Sequence, residues 1–229
     1  MNFGELNINE YDTVLFDCDG VILNSNKVKS DSFYKTAFYY GKYVAEEFLE
    51  YHVNNGGISR YSKFEYLLKN ILPKYSIEND LKNFNNNFKK LIEIYKENCF
   101  EGLKNCEVAE NIHNIKEKFK EKNWLVVSGG DQDELNKILK SRNLNKLFGG
   151  GIFGSPDNKF EIISREKEKG NIKGKSILIG DSKYDYEVSM RSNIDFVFLY
   201  DWTELPNWRG YVYSNGIISR KNLNQLFFE

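Results

Sequence analysis

A short apolar run that stops abruptly at small or acidic residues occurs once near the start of the chain and repeatedly in its second half, and this pattern constrains the fold most. Thr13-Val14-Leu15-Phe16 gives way to Asp17-Cys18-Asp19-Gly20. Trp124 to Val127 gives way to Ser128-Gly129-Gly130, Gly151 to Phe153 to Gly154-Ser155-Pro156, Ser176 to Ile179 to Gly180-Asp181, and Phe196 to Leu199 to Tyr200-Asp201. Runs this short and continuously apolar read as strands buried on both faces. Between them, Ile112, Ile115 and Phe119, then Leu135, Ile138 and Leu139, then Ile162 to Glu168 follow helical patterns. The alternation predicts an open, Rossmann-like parallel α/β sheet.

Residues 24–100 contain no such run. Tyr61, Phe64, Leu68 and Ile71, and then Leu81, Phe84, Phe88, Leu91 and Tyr95, fall instead at helical spacing. That predicts a mostly helical cap, residues 24–100, inserted into an α/β core made of residues 1–23 and 101–229. Asn83 to Asn87 read as the polar face of a cap helix, because Phe84 and Phe88 keep the apolar register. A chain of 229 residues is long enough for a core with such an insertion. The likeness of Asn55-Gly56-Gly57-Ile58-Ser59-Arg60 to Asn215-Gly216-Ile217-Ile218-Ser219-Arg220 is too short to mark a repeat.

Lys and Arg total 32 against 33 Asp and Glu, so no global positive field exists to hold nucleic acid or an anionic membrane. An anionic substrate must be met locally. The start has no basic or apolar leader region, and no stretch approaches the roughly 20 apolar residues of a membrane span, which predicts a cytoplasmic protein. Cys18, Cys99 and Cys106 lack the spacing of a zinc or disulfide framework and are expected to be reduced thiols. His52 and His113 have no partner suggested by spacing and are assigned no role.

In an open parallel sheet the C-terminal ends of the strands face one crevice. There Asp17 and Asp19, Ser128 with Gly129 and Gly130, Lys159, and Asp181 with Asp185 converge. Carboxylates gathered at one edge repel one another unless a hard cation sits among them, and Mg²⁺ prefers oxygen ligands at such sites. The Ser128 hydroxyl and the amides of Gly129 and Gly130, opening a helix that starts near Asp131, can bind phosphate oxygens, with the charge of Lys159 beside them. A carboxylate oxygen of Asp17 can then attack phosphorus, while Asp19 protonates the leaving oxygen and later activates water. Simpler readings fit the separate pieces. Ser128 to Asp131 also make a strand-to-helix turn, with Asp131 as N-cap and Glu134 completing a capping box. Asp181 and Asp185 suit the first turn of a helix. Lys159 falls in a polar loop, and Lys167 and Lys169 are the alternative phosphate-binding lysines.

LFDCDGV (residues 15–21), LVVSGG (125–130), Lys159 within SPDNKFEII, and LIGDSKYD (178–185) stand in the order of the motifs of haloacid dehalogenase superfamily phosphohydrolases. With the helical insertion after the first motif, nearly the whole chain resembles the phosphoglycolate phosphatase and β-phosphoglucomutase subgroup. The resemblance implies Asp17 as nucleophile and Asp19 as general acid/base. It also implies Mg²⁺ held by the Asp17 carboxylate, the Asp19 backbone carbonyl and the Asp181 carboxylate, with Asp185 in support. Relatives often follow the lysine with proline, whereas Phe160 follows Lys159 here.

The implied activity is Mg²⁺-dependent hydrolysis of a small phosphomonoester, a sugar phosphate foremost, through an aspartyl phosphate, by a monomer or weak dimer. A phosphomutase using the same nucleophile is the alternative, and the motifs do not separate the two. A metal-free dehalogenase has no need of Asp19, and a binding module has little reason to combine all four motifs. In the cap, Gly56-Gly57-Ile58-Ser59-Arg60 resembles the loop that sets specificity in this subgroup, where Arg60 and Lys63 would read the substrate's distal groups. The same residues also fit a helix N-cap at Ser59 with Arg60 and Lys63 as solvent charges.

Overall fold

The computed structural model describes residues 6–77 and 83–229. Its described residues form a six-stranded, all-parallel sheet. Strand β1 (Thr13–Phe16) lies between β2 (Asn123–Asp131) and β4 (Ser176–Gly180), and the full order is β3-β2-β1-β4-β5-β6. Outside β2 lies β3 (Gly151–Ser155), and outside β4 lie β5 (Asp195–Leu199) and then β6 (Ser219–Arg220). Chain order reverses direction across β1, and the crevice at such a switch point is where open α/β sheets bind ligands.

The strands are continuously apolar because both faces are covered. Val14 and Phe16 pack on one side with Trp124, Val126, Ile177 and Ile179. Leu15 packs on the other side with Leu125, Val127 and Leu178, against Ile162, Ile163 and Val188. The cap region contains α1 (Asn26–Ala37), α2 (Lys42–Asn54), α3 (Arg60–Tyr66) and α4 (Phe84–Asn105). They close on an aromatic cluster in which the Phe33 ring lies 5.5 Å from Phe48, 5.3 Å from Phe64 and 4.3 Å from Tyr95. Leu81, assigned to the helical pattern, lies outside the described residues. The pattern from Tyr61 to Ile71 is helical but changes type, passing from α3 into a π turn at Leu67–Ile71 and a 3₁₀ turn at Leu72–Tyr75. Pro73 has no N–H to continue an α-helical ladder there.

The core helices are α5 (Ile112–Lys118), α6 (Gln132–Ser141), α7 (Lys159–Glu168), α8 (Lys183–Arg191), α9 (Trp208–Ser214) and α10 (Leu223–Phe228). Several local expectations are corrected. Strand β2 does not stop at Val127 but continues through Ser128-Gly129-Gly130, with its register against β3 shifting between Val127 and Asp131. Lys159 is not in a loop. It is the first residue of α7, whose start is fixed by a capping box between Asn158 and Glu161. Asp131 does cap α6 by accepting from the Glu134 N–H at 3.0 Å, but the Glu134 carboxylate is held by Arg60 and not by the Asp131 backbone. A guanidinium offers the Glu134 carboxylate two bonds from a charged donor, where the amide offers one from an uncharged donor.

That contact joins the helical segment carrying α1–α4 to the sheet-bearing part of the chain. Both guanidinium nitrogens of Arg60 donate to Glu134, the guanidinium also lies 4.7 Å from the Tyr95 ring centre, and Arg60 is 3% exposed. Beside it the Tyr61 hydroxyl donates to Asp131 Oδ2 at 2.6 Å. At Gly129 the two parts meet so closely that a Cβ would stand 2.2 Å from the Gly57 carbonyl oxygen. Removing one partner of a buried ion pair leaves the other charge uncompensated, so Glu134→Ala is expected to lower stability by about 3–5 kcal/mol. The double variant Arg60→Ala/Glu134→Ala should lose less than the sum of the two single losses in urea unfolding followed by circular dichroism.

Candidate active site

Asp17 follows β1 directly, and its N–H continues the ladder to the Ile179 carbonyl of β4 at 2.9 Å, which carries its side chain to the crevice. Its Oδ1 accepts from the Cys18 N–H at 2.7 Å, and its Oδ2 lies 2.9 Å from Lys159 Nζ. Lys159 also donates to Asp185 Oδ1 at 2.5 Å, and both of these side chains are fully buried. The other Asp185 oxygen accepts the hydroxyl of Ser182, the N-cap of α8, at 2.5 Å. Asp181 accepts from Asn26 Nδ2 at 2.7 Å, and its backbone carbonyl accepts from the Thr203 hydroxyl at 2.7 Å. Gly20 makes room for this arrangement. Its φ is +74°, and a Cβ there would lie 2.3 Å from Asp181 Oδ2.

Carboxylate oxygens of Asp17, Asp181 and Asp185 come within 4.8 Å of one another. Among the described residues Lys159 is the ammonium that touches this group, so with all three acids ionised the cluster would carry an excess of two negative charges. The electrostatics express the imbalance. Burial, helped by the charges of Asp185 and Asp19, pushes the Asp17 carboxyl up to about 7 despite the pull of Lys159. Burial and the charges of Asp17 and Asp185 also push Asp181 well above the usual carboxylate range. A buried all-oxygen donor set with this excess fits a divalent hard cation such as Mg²⁺.

Asp19 is balanced differently. Its Oδ1 accepts from the Ser25 hydroxyl at 2.6 Å and its Oδ2 from Lys29 Nζ at 2.5 Å. Burial raises its pKa, but the Lys29 charge and these two bonds outweigh burial and hold the carboxyl below its usual range. Ser25, Asn26 and Lys29 were not singled out in the sequence. Their spacing around the first turn of α1, immediately after the acidic motif, is the signal that could have found them.

Ser128 is buried, with its oxygen accepting the Gly130 N–H at 3.0 Å. Gly129 and Gly130 line the cleft beside Asp17, Asp19 and Asp181, and Arg60, Lys63 and His52 line it from the cap. Lys159 is the lysine brought to Asp17. Lys167 donates to the Ser192 carbonyl at 2.5 Å, and Lys169 pairs with Glu166 at 3.1 Å. Ser59 does cap α3, accepting from the Ser62 N–H at 3.3 Å, yet Arg60 and Lys63 are buried and not solvent charges. His113 is exposed, whereas His52 is buried against Lys63.

Residues 14–199 match the family model for haloacid dehalogenase-like hydrolases. No curated protein matches the chain. Among solved structures, it is similar in fold to a haloacid dehalogenase-like family hydrolase, SP0104, from Streptococcus pneumoniae, with a TM-score of 0.67 and 18% identity over 96% of this chain and 98% of that one. It is similar to β-phosphoglucomutase from Clostridium difficile, with a TM-score of 0.65 and 18% identity over 95% and 94% of the two chains. A predicted phosphoglycolate phosphatase from Haemophilus somnus gives 0.62 and 18% over 84% and 87%. At these identities the structural likeness is one of fold, while the family model spans β1 through β5 and every core residue that converges on the crevice. The chain belongs to the haloacid dehalogenase-like hydrolases.

Proposed function

We propose that the protein is a Mg²⁺-dependent phosphatase that hydrolyses a small phosphomonoester, a sugar phosphate foremost, through an aspartyl phosphate on Asp17. The observation that carries this reading is the contact of Lys159 with both Asp17 and Asp185 inside a set of three converging carboxylates. The Asp17 and Asp181 carboxylates and the Asp19 backbone carbonyl, with Asp185 in support, would hold Mg²⁺, which would supply positive charge that offsets the acids and the phosphoryl oxygens. Ser128 with the Gly129 and Gly130 amides receives the phosphoryl oxygens, and Lys159 favours the ionised, nucleophilic form of Asp17.

The Asp17 oxygen forms a bond to phosphorus as the ester P–O bond breaks, and Asp19 gives a proton to the departing oxygen. Water then attacks phosphorus, passes a proton to Asp19, and releases inorganic phosphate and free Asp17. With Lys29 and Ser25 on its oxygens, Asp19 stands in the ionised form that the second step requires. Donation in the first step requires that it take up a proton and give up part of the Lys29 contact.

Residues 24–100 act as the cap that closes the cleft, with Arg60 and Lys63 on the side of the group that is not transferred. Among the described residues no helix is long and apolar enough to cross a membrane, and the near-zero net charge gives no general affinity for nucleic acid. A cytoplasmic monomer or weak dimer acting on a small phosphorylated molecule fits these features.

A panel of sugar phosphates, nucleotides and small phosphorylated acids, assayed with Mg²⁺ for released inorganic phosphate, tests the assignment. Phosphoryl transfer to a sugar hydroxyl with dependence on a bisphosphate activator would favour the mutase alternative. Asp17→Asn should nearly abolish turnover while the unfolding curve stays close to that of the parent, and substantial residual activity would contradict the nucleophile. Asp19→Ala should slow turnover by about 10²- to 10⁴-fold, most for poor leaving groups, and an equal loss across leaving groups would remove its acid/base role. Activity should vanish with a chelator and return with Mg²⁺, and Asp181→Asn should raise the Mg²⁺ concentration needed, as measured by activity against free Mg²⁺.

A further inference from the structure

Asp181 follows the end of β4, and its side chain is met there by a residue of the helical segment. Asn26, the first residue of α1, donates from its amide nitrogen to two acceptors, Asp181 Oδ2 at 2.7 Å and the Trp202 carbonyl at 2.9 Å. A side-chain amide nitrogen has two hydrogens to give, and both are taken. Turning the amide over would set its oxygen against two acceptors, so the carboxylate and the carbonyl together fix which way Asn26 faces. The next residue after Trp202 also holds Asp181, because the Thr203 hydroxyl donates to the Asp181 backbone carbonyl at 2.7 Å. Asp181 is thus held at its main chain by Thr203 and at its side chain by Asn26, which Trp202 braces in turn.

Backbone closes over the same hydrogen bond. A Cβ on Gly20 would stand 2.3 Å from Asp181 Oδ2 and 2.5 Å from Asn26 Nδ2. Asp181 is 6% exposed, and among the described residues its Oδ1 accepts no hydrogen bond. The carboxylate that converges with those of Asp17 and Asp185 therefore has one oxygen engaged and walled in, and one without a partner.

Mg²⁺ and Ca²⁺ ask different things of such a group. Ca²⁺ accepts more oxygens in a yielding geometry and uses one or both oxygens of a carboxylate, whereas Mg²⁺ is smaller and holds to a near-ideal octahedron. On the metal-dependent reading of this cluster, we propose that Asn26 is a positioning residue that confines Asp181 to one-oxygen ligation and so makes the site select Mg²⁺ over Ca²⁺. The amide does this by occupying Oδ2. Without it that oxygen is free to turn toward the cation, and Asp181 gains the two-oxygen grip that suits the larger ion.

The test reads metal binding without turnover. Chelator-treated protein, freed of chelator, is unfolded by heat under circular dichroism at rising MgCl₂ or CaCl₂ and constant ionic strength, and each Kd follows from the rise in Tm. The wild-type protein should bind Mg²⁺ more tightly than Ca²⁺. Asn26→Ala should raise the Mg²⁺ Kd by about tenfold to a hundredfold, the scale of losing a group that orients a metal ligand. Its Ca²⁺ Kd should change by much less, so that the preference shrinks. Asp181→Asn, which removes the ligand itself, should weaken stabilisation by both cations.

A bond that merely tied α1 to the Trp202 loop would lower the metal-free Tm and leave the ratio of the two Kd values unchanged. An unchanged ratio, a wild-type protein that favours Ca²⁺, or stabilisation unaffected by Asp181→Asn overturns the inference. Should Asn26→Ala fail to fold, Asn26→Ser carries the same expectation, because its hydroxyl is too short to reach both acceptors. If neither cation raises the wild-type Tm, the metal-dependent reading falls and takes the inference with it. If the cations bind as expected but no phosphomonoester is hydrolysed, the phosphatase assignment fails alone and the role of Asn26 stands.

Discussion

A single ammonium shared between two buried carboxylates organises the core site. Lys159 stands 2.9 Å from Asp17 and 2.5 Å from Asp185, and all three side chains are sealed from solvent. Each member is delivered by a different element: Asp17 by the β1–β4 ladder, Lys159 by the Asn158–Glu161 capping box, and Asp185 by the Ser182 N-cap. Two of those devices are local helix-start chemistry with Ser and Asn side chains, so the sequence places the charges by rules that operate over three or four residues. The sheet then supplies the long-range part, because parallel strands align their ends. With Asp181 added, one lysine does not neutralise the acids, and burial, helped by their mutual repulsion, raises Asp17 and Asp181 in a donor set that fits a divalent hard cation.

What was legible in the chain follows from the same division. The buried strands could be read because a parallel sheet covered on both faces leaves continuous apolar runs, and their acidic or glycine endings marked the crevice. The end of β2 could not be read. Gly129 and Gly130 carry no β signal, and their extended path depends on pairing with β3 across an irregular register. Lys159 reads as a loop residue until the capping box before it is recognised. Arg60 and Lys63 were open between ligand contacts and solvent charges, since a helix start with basic residues looks alike in both cases. Their burial is set by α1, α4 and the core, which no local pattern encodes. Glu134 shows the limit of local rules most directly. Its spacing from Asp131 suits a capping box, but a guanidinium from a distant segment takes its carboxylate.

The distribution of charge across the cleft also bears on how the helical segment meets the sheet. On the core side the excess is negative, and charges a few ångströms apart in a buried site interact far more strongly than in water. On the cap side Lys29 and Arg60 are paired with core carboxylates, so two of the cap's cations reach across the junction. Arg60 with Glu134, Tyr61 with Asp131 and Lys29 with Asp19 are polar contacts by which this region meets the sheet. Ser25 and Lys29, at the start of α1, hold the Asp19 carboxyl below its usual range against the effect of burial, so the charge of this group depends on the first helix after the acidic motif.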